Sequence, residues 1–211
     1  MLGAIIDMDG TILESMGLWE QVDIGFLRDK RGIEVPADYM NAISPLGYRE
    51  TALYTIARFN LPDSPEDLMA EWEEMAVHEY ENTLPLKPYA IEFLTKLKKD
   101  GIKTALCTSS PECFYAPALK RLGVYSMFDA FVSASALGLR KGEPEIFLTA
   151  AQRLGLRPED CTVFDDMPDA IAGAKAAGMK TCGVYDRYSA SHMDRMKRMC
   201  DRYVMSLEEL I

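Results

Sequence analysis

The chain has 211 residues, of which 48% are hydrophobic and 27% charged, as is ordinary for a folded protein with one large domain or a domain carrying an insertion. Its formal net charge of −10 repels nucleic-acid backbones, but it still allows a small phosphorylated substrate if a metal ion and a lysine reverse the local field. The five cysteines show no CxxC spacing, which predicts reduced thiols and a reducing compartment. Neither a signal peptide nor a membrane span is predicted at the N-terminus, so a cytoplasmic protein is expected.

The chain opens on a predicted buried strand that ends in two carboxylates. An apolar run at residues 2–6 stops at Asp7, and Asp9 follows two residues later, before Gly10 and Thr11. Charge is costly at the end of a buried strand, and in open α/β sheets ligands bind at the carboxyl ends of the strands. The pattern therefore predicts a ligand site at this strand end.

Residues 15–85 are predicted to be entirely helical. Apolar residues recur at helical spacing from 18 to 26, residues 48–59 form a second helix, and a third begins with an N-cap at Ser64. The tryptophans Trp19 and Trp72 occupy helical spacings that predict the core of this block. The proline-rich segment 84–88 ends it.

From Pro88 onwards, helices and strands alternate. Helices are predicted at 88–101, 113–122, 144–154, 168–177, 190–199 and 206–211, and strands at 102–107, 129–133, 161–164, 181–185 and 202–205. In the first of these helices, Ile91, Leu94 and Leu97 are expected to face inward. Alternation of this kind predicts a parallel sheet covered on both faces. The predicted fold is thus an α/β protein with a Rossmann-like parallel core, formed by residues 1–14 and 86–211, and an inserted all-helical cap at 15–85.

Polar residues follow three of the predicted strands, and a lysine lies in a loop before a helix. These residues are Asp7, Asp9, Thr108, Ser109, Asp165, Asp166 and Lys141. The carboxyl ends of parallel strands share one edge of the sheet, so residues about 100 positions apart can converge there. Several carboxylates at one edge repel one another, and a hard divalent cation such as Mg²⁺ would offset that repulsion.

The order of these motifs resembles the haloacid dehalogenase superfamily. It is similar in particular to the branch with a helical cap after the first motif, which contains phosphoglycolate-type phosphatases and β-phosphoglucomutase. Residues 141–147 (KGEPEIF) are close to that branch's KPxPxIF, and residues 165–179 follow its stretch from the acidic pair to AAGM. The resemblance covers essentially the whole core, whereas the cap matches only in its helical character.

The resemblance implies a role for each carboxylate. Asp7 would be the nucleophile that forms an aspartyl-phosphate, and Asp9 would protonate the leaving oxygen and later deprotonate water. Mg²⁺ would be held by Asp7, Asp9 (through its backbone carbonyl), Asp165 and Asp166. The dehalogenases of the superfamily lack an acid at the place of Asp9, so Asp9 points to phosphate-ester chemistry.

The resemblance also implies contacts to the phosphate. Lys141 would lie near the phosphate oxygens and act in catalysis, and Thr108 and Ser109 would hold the transferring phosphoryl group. Arg49, just after Leu46 and Gly47, resembles the substrate-specificity loop of the branch. The partner would be a small phosphorylated metabolite, with no nucleic acid or membrane, and the chain would be a monomer or a weak dimer.

Three functions remain open at this stage. The first is a Mg²⁺-dependent phosphatase for a small phosphomonoester. The second is a hexose-phosphate mutase like β-phosphoglucomutase, although Trp19 stands where that mutase has a cap histidine. Glu14 departs from the branch's usual Asp, without a clear consequence. The third is a non-catalytic protein on the same scaffold, but such chains usually lose a motif residue and this one keeps all six.

Overall fold

The computed structural model describes residues 1–43, 46 and 48–211, and these form two compact units. One unit comprises residues 1–16 and 81–211 and contains the sheet; the other comprises residues 17–80 and is helical. The sequence analysis drew the corresponding boundaries at 14/15 and 85/86.

The sheet has six strands, all parallel to their neighbours. The strands are β1 (Gly3–Ile6), β2 (Lys103–Thr108), β3 (Ala130–Ser133), β4 (Cys161–Asp165), β5 (Lys180–Val184) and β6 (Arg202–Val204). Their order is β3-β2-β1-β4-β5-β6, which confirms the predicted α/β fold with a Rossmann-like parallel sheet. The order of the strands reverses between β1 and β4, and such a switch point is where ligands bind in this class of sheet.

Within the residues that the structure describes, the helical unit contains four α-helices. They are α1 (Leu18–Gly25), which continues as a π-helical turn at Phe26–Lys30, then α2 (Tyr39–Ile43), α3 (Tyr48–Phe59) and α4 (Pro65–Asn82). The rings of Phe26 and Trp72 are buried and meet edge to face, 5.9 Å apart. Helix α2 was not predicted from the sequence.

Trp19 does not belong to the core of the helical unit, contrary to the sequence-based prediction. It is 39% exposed and meets the ring of Tyr48 edge to face at 5.4 Å. The buried stripe of α1 runs through Leu18 and Val22 to Phe26, four residues apart each time. Position 19 lies at the border of that stripe, and its ring is therefore partly in solvent.

Six helices belong to the sheet unit. They are α5 (Ala90–Lys99), α6 (Glu112–Arg121), α7 (Ala134–Leu137), α8 (Pro144–Leu154), α9 (Pro168–Ala176) and α10 (Met193–Met199). Side chains of α8 and α9 pack in one core with β1 and β4, and Phe147 and Val163 are among its buried members. Both helices begin with proline at the first position, where the missing N–H costs nothing.

The inward face of α5 differs from the prediction at one position. Leu94 and Leu97 are buried as expected, but Ile91 is 48% exposed and Phe93 is buried instead. The Phe93 ring packs edge to face on Phe164 of β4, 5.1 Å away. The buried residues of α5 follow the spacing i, i+3, i+4 and i+7 of one helix face, and Ile91 lies outside that face; they are Ala90, Phe93, Leu94 and Leu97.

The segments that lead into and out of the helical unit pair with each other within the sheet unit. The backbone of residues 12–14 is hydrogen bonded to that of residues 85–87, and Leu13 and Leu86 form an antiparallel bridge. The two connections are thus held together beside the loop that carries Asp7 and Asp9. Among the helices of the described residues, none combines the length and the apolar character needed to cross a bilayer.

Candidate active site

Three carboxylates meet where β1 and β4 end. Asp7 follows β1 directly, and its backbone N–H donates to the carbonyl of Phe164 at 3.0 Å, which sets it beside Asp165 and Asp166. One carboxylate oxygen from each of the three aspartates lies within 4.8 Å of the other two, and all three residues are buried. The structure therefore brings together residues that are more than 150 positions apart, as the topology requires.

Lys141 reaches this cluster from the loop before α8. Its Nζ lies 2.5 Å from Asp7 Oδ1 and 2.6 Å from Asp165 Oδ2. Burial alone would lower the pKa of Lys141, but the charges of Asp165 and Asp7 outweigh it and raise that pKa. The lysine is therefore a cation throughout the neutral range, and it faces the candidate nucleophile directly.

The position of the Lys141 loop depends on a glycine in α9. A Cβ atom at Gly173 would lie 2.7 Å from the backbone oxygen of Lys141 and 2.9 Å from that of Gly142. Only a residue without a side chain lets α9 approach this loop so closely. The sequence analysis did not single out Gly173.

Burial changes the acidity of two members of the cluster. The pKa of Asp7 is raised well above its usual value by burial, and the charges of Asp165 and Asp166 add to this while Lys141 opposes it. Burial, followed by the charge of Asp165, raises the pKa of Asp166 to about 7. The cluster has three buried carboxyl groups but one ammonium group, so its acidic groups outnumber its cations.

The carboxylate of Asp166 is the best available metal ligand in the cluster. Asp165 already uses both oxygens, since Oδ1 accepts from the Met167 N–H at 2.9 Å and Oδ2 from Lys141. Both oxygens of Asp166 are buried and accept no hydrogen bond of normal geometry from the residues that the structure describes, although the nearby Ser189 hydroxyl opposes the rise in its pKa. An oxygen-only donor set with an unpartnered carboxylate fits Mg²⁺, which prefers such ligands.

Gly10 brings the backbone of the first loop against Asp166. Its φ of +78° lies in the left-handed region, and a Cβ atom there would lie 2.8 Å from Asp166 Oδ2. A side chain at this position would displace the carboxylate.

Two serine hydroxyls hold the half-buried carboxylate of Asp9. Ser15 Oγ donates to Asp9 Oδ1 at 2.5 Å, and Ser110 Oγ donates to Asp9 Oδ2 at 2.8 Å. The carboxylate is thus fixed from both sides. Neither serine was predicted, although Ser110 directly follows the predicted pair Thr108 and Ser109.

The two predicted hydroxyl residues after β2 differ in their surroundings. Thr108 is fully buried, and its Oγ1 accepts from the Ser110 N–H at 3.0 Å. Ser133 Oγ also donates to the Ser110 carbonyl at 2.9 Å, so this loop is fixed. Ser109 is exposed, and its role as a phosphate ligand stays a prediction.

Arg49 lies apart from these residues in sequence and belongs to the helical unit. It is exposed on α3, and its guanidinium forms an ion pair with Glu66. Gly47, which belongs to the loop named in the sequence analysis, is outside the described residues. The part of Arg49 in substrate binding stays a prediction.

Lys87 ties the first loop to the segment after β5. Its Nζ donates to the Gly10 carbonyl at 2.5 Å and to the Tyr185 carbonyl at 2.8 Å, and it lies 2.9 Å from Asp186 Oδ2. Both partners of this ion pair are largely buried, so it supports the loop that contains Asp7 and Asp9. No sequence pattern had indicated that Lys87 has this role.

Comparisons with known proteins agree with this geometry. A family model described as haloacid dehalogenase-like hydrolase matches residues 1–178. Hexitol phosphatase B from Escherichia coli K12 is 27% identical over 186 residues, covering 86% of this chain and 82% of that protein. β-Phosphoglucomutase from Bacillus subtilis is 32% identical over 202 residues, covering 87% and 83% respectively.

A solved structure has the same fold over the full length of the chain. The crystal structure of a putative β-phosphoglucomutase from Thermotoga maritima aligns with a TM-score of 0.86 and 26% identity, covering 100% of this chain and 96% of that one. The family model, these relatives and the arrangement of strand-end carboxylates lead to one assignment. The chain belongs to the haloacid dehalogenase-like hydrolases, as its sequence motifs predicted.

Proposed function

We propose that the chain is a Mg²⁺-dependent phosphatase that hydrolyses a small phosphorylated sugar or polyol through an aspartyl-phosphate on Asp7. That it is a phosphomonoester hydrolase follows from its family and from phosphatase relatives such as hexitol phosphatase B and the phosphorylated carbohydrates phosphatase of Thermotoga maritima. The observation that carries the finer proposal is the contact of Asp7 with Lys141 beside the unpartnered carboxylate of Asp166.

In the first step, an oxygen of Asp7 attacks phosphorus, and the bond from phosphorus to the ester oxygen breaks. The leaving oxygen takes a proton from Asp9, which Ser15 and Ser110 hold in place. In the second step, Asp9 takes a proton from water, the water oxygen bonds to phosphorus, and the bond to Asp7 breaks. Inorganic phosphate leaves, and both aspartates return to their starting states.

The attack brings a carboxylate against a phosphate dianion, so positive charge is required. Lys141 supplies one charge next to Asp7. At about 4 Å each pair of like charges costs roughly 1 to 4 kcal/mol, according to the effective dielectric constant. Mg²⁺, held by Asp7, Asp166 and the backbone carbonyl of Asp9, would neutralise developing charge on the phosphoryl oxygens. Asp165 is occupied with Lys141 and Met167, so we assign it to orienting the lysine.

The test measures phosphate release from a panel of sugar and polyol phosphates with Mg²⁺ and with EDTA. We expect Mg²⁺-dependent release, and Asp7→Asn should lower kcat by at least about a thousandfold, since an amide is not a nucleophile. Asp194→Asn, which changes an exposed carboxylate on α10, is the matched control and should retain the activity. A beryllium fluoride complex should carry its adduct on Asp7. Full activity of Asp7→Asn would refute the mechanism.

A second candidate, a hexose-phosphate mutase, has support from the relative in Bacillus subtilis. Position 19, where the mutases of this branch have histidine, is tryptophan here, and an indole N–H can donate a hydrogen bond but cannot accept a proton. Product analysis separates the two functions. Conversion of β-glucose 1-phosphate to glucose 6-phosphate without free phosphate would favour the mutase.

A further inference from the structure

No chemical step of the proposed reaction uses a small buried cluster beside the carboxylate of Asp166. It consists of Lys87, Asp186 and Ser189, and we call it the support cluster. Asp186 and Ser189 are each 6% exposed, and the side chain of Lys87 is 12% exposed. All three residues belong to the sheet unit, as does Asp166 itself.

Lys87 uses its whole hydrogen-bonding capacity within the protein. Its ammonium group has three N–H donors, and it contacts three acceptors: the Gly10 carbonyl at 2.5 Å, the Tyr185 carbonyl at 2.8 Å and Asp186 Oδ2 at 2.9 Å. No N–H is left to bind a phosphate oxygen. Lys87 therefore differs from Lys141, and its part is to hold backbone and side chains in place.

The first of these contacts acts on Asp166 through Gly10. A Cβ atom at Gly10 would lie 2.8 Å from Asp166 Oδ2, so the backbone at this position lies directly against the carboxylate. Lys87 holds the carbonyl group of the same glycine. Loss of Lys87 would therefore release a piece of backbone that limits where the Asp166 carboxylate can lie.

The segment after β5, which Lys87 also holds, brings a hydroxyl group close to Asp166. Asp186 uses both of its oxygens, since Oδ1 accepts from the Tyr188 N–H at 2.8 Å and Oδ2 contacts Lys87, so it is not an available metal ligand. Ser189 Oγ donates to the Asp186 carbonyl at 3.3 Å, which is a long bond for a hydroxyl donor. The same hydroxyl opposes the rise that burial causes in the pKa of Asp166, so it lies near that carboxylate.

A carboxylate that binds a metal ion is usually held in turn by hydrogen bonds from residues around the site. Asp165 has such partners in Lys141 and the Met167 N–H. Asp166, the better metal ligand, accepts no hydrogen bond of normal geometry from the described residues, and Ser189 is a donor at hand. Loss of a partner of this kind typically weakens metal binding by about tenfold to a hundredfold.

We propose that the support cluster positions Asp166 for Mg²⁺: Lys87 holds Gly10 and the segment after β5, and the Ser189 hydroxyl holds the carboxylate. These residues act through Asp166, so they are positioning residues. The inference rests on the proposed function in one respect, the choice of Mg²⁺ as the ion at Asp166. Binding of Mg²⁺ can be measured without a substrate, and the support cluster can thus be tested apart from turnover.

Ser189→Ala removes the hydroxyl and leaves the rest of the support cluster in place. Calorimetric titration of the full chain with MgCl₂, without a phosphate ester, should show Mg²⁺ binding weakened by about tenfold or more. In EDTA the unfolding temperature should fall by no more than about 4 °C, because one long hydrogen bond is lost. KM for the substrate at saturating Mg²⁺ should change little. A serine with a merely structural role would lower the unfolding temperature without this selective loss of metal affinity.

Lys87→Met tests the other end of the support cluster. It should also weaken Mg²⁺ binding, since it releases Gly10 and the segment after β5 together. It leaves the buried carboxylate of Asp186 without its cation, so the unfolding temperature should fall as well. Ser189→Ala, which keeps that ion pair, is therefore the deciding variant.

Ser191→Ala, which removes an exposed hydroxyl two positions further on, is the matched control and should bind Mg²⁺ like the parent chain. The proposal is overturned if Ser189→Ala binds Mg²⁺ as tightly as the parent chain, or if Ser191→Ala loses as much affinity. A parent chain that binds no Mg²⁺ would overturn both this inference and the metal requirement of the proposed function. Mg²⁺ binding without any phosphatase activity would refute the proposed function alone.

Discussion

At the scale of single residues, the candidate general acid Asp9 is fixed from two sides. Both oxygens of Asp9 accept short hydrogen bonds, one from Ser15 and one from Ser110. A carboxyl group held from two sides loses little entropy when it transfers a proton, and it keeps its distance to the leaving oxygen.

Ser110→Ala should therefore lower kcat by about tenfold and change KM little, because it releases one oxygen of Asp9 without touching Asp7 or Lys141. Steady-state kinetics on the preferred phosphomonoester measures both constants. The comparison with Ser109→Ala is informative, since the Ser109 side chain is exposed. An unchanged kcat in Ser110→Ala would contradict the assignment of Ser110 to positioning Asp9.

Asp23 should give the protein a characteristic dependence of stability on pH. Its pKa in the fold is about 7, against an ordinary value of 3.8, so the folded state holds a proton that the unfolded chain releases. The stability due to this group is complete below pH 4 and is lost as the pH rises through 7. Asp23→Asn should remove that loss and raise the free energy of unfolding at pH 8 by about 2 to 4 kcal/mol.

Urea unfolding of the parent chain and Asp23→Asn at pH 5 and pH 8 measures this difference. Glu74→Gln serves as the control, because it also replaces a carboxylate of the helical unit by an amide but at an exposed site. An equal change of stability with pH in the parent chain and Asp23→Asn would show that Asp23 does not titrate as inferred.

Sequence reasoning located the residues with distinctive motifs and missed those whose role depends on side-chain direction. Asp7, Lys141 and the acidic pair follow strands or precede a helix in a recognisable order. Ser109 and Ser110 are neighbours of the same type, and only the path of the loop after β2 turns Ser110 towards Asp9. Asp23 stands among apolar helix residues, and no pattern tells whether its carboxylate faces water or the protein interior.

At the scale of elements, the contact between α9 and the Lys141 loop determines where the lysine lies. Gly173 allows the two backbones to meet, and a Cβ atom there would contact the Lys141 carbonyl at 2.7 Å. The loop carries the ammonium group to within 2.5 Å of Asp7. The close approach of α9 at Gly173 therefore helps to position Lys141 beside Asp7.

Gly173→Ala should displace the loop and lower kcat/KM by about tenfold to about a hundredfold, since a shift of about 1 Å in a reacting group has effects of that size. The control is Gly25→Ala in α1, where the new Cβ atom would meet the flexible end of Met75 at 3.4 Å and Asp29 Oδ2 at 3.7 Å. That control should raise stability by up to about 1 kcal/mol through its better helix propensity. Unchanged kinetics in Gly173→Ala would show that the loop tolerates the contact.

Strands and long helices could be predicted because their apolar patterns are bounded by glycine or proline. Helix α3 at 48–59 and α8 at 144–154 occur at the predicted residues. The short helix α2 has too few residues for a periodic pattern, so it was missed. In α5, the predicted face at 91, 94 and 97 and the observed face at 90, 93, 94 and 97 both have helical spacing, so periodicity alone does not separate them; in the structure the Phe93 ring packs on Phe164 of the sheet.

At the scale of the whole molecule, an acidic chain carries a cluster of three buried carboxylates at one edge of its sheet. The net charge is −10, and three buried carboxylates face a single ammonium group. Without a further cation this arrangement opposes folding, and a ligand that binds only the folded state offsets it.

Mg²⁺ at 100 times its dissociation constant should stabilise the fold by about 2.7 kcal/mol. The gain should be larger at pH 8 than at pH 6, because the pKa of Asp166 is raised to about 7 and protons compete with the metal below it. Thermal unfolding with Mg²⁺ or EDTA measures the effect. Asp166→Asn should lose most of it and Asp194→Asn should keep it; an equal gain in both variants would place the metal elsewhere.

The antiparallel pairing of residues 12–14 with residues 85–87 has a consequence for how this architecture can change over time. The inserted block, which is the helical unit, is joined to the sheet unit through two segments that pair with each other. Its length and content can vary without shifting any strand of the parallel array, because the spacing between the two junctions stays constant. A short turn joining position 14 to position 85 would leave that array continuous, so the block can be exchanged without moving the strand ends that carry Asp7 and Asp165.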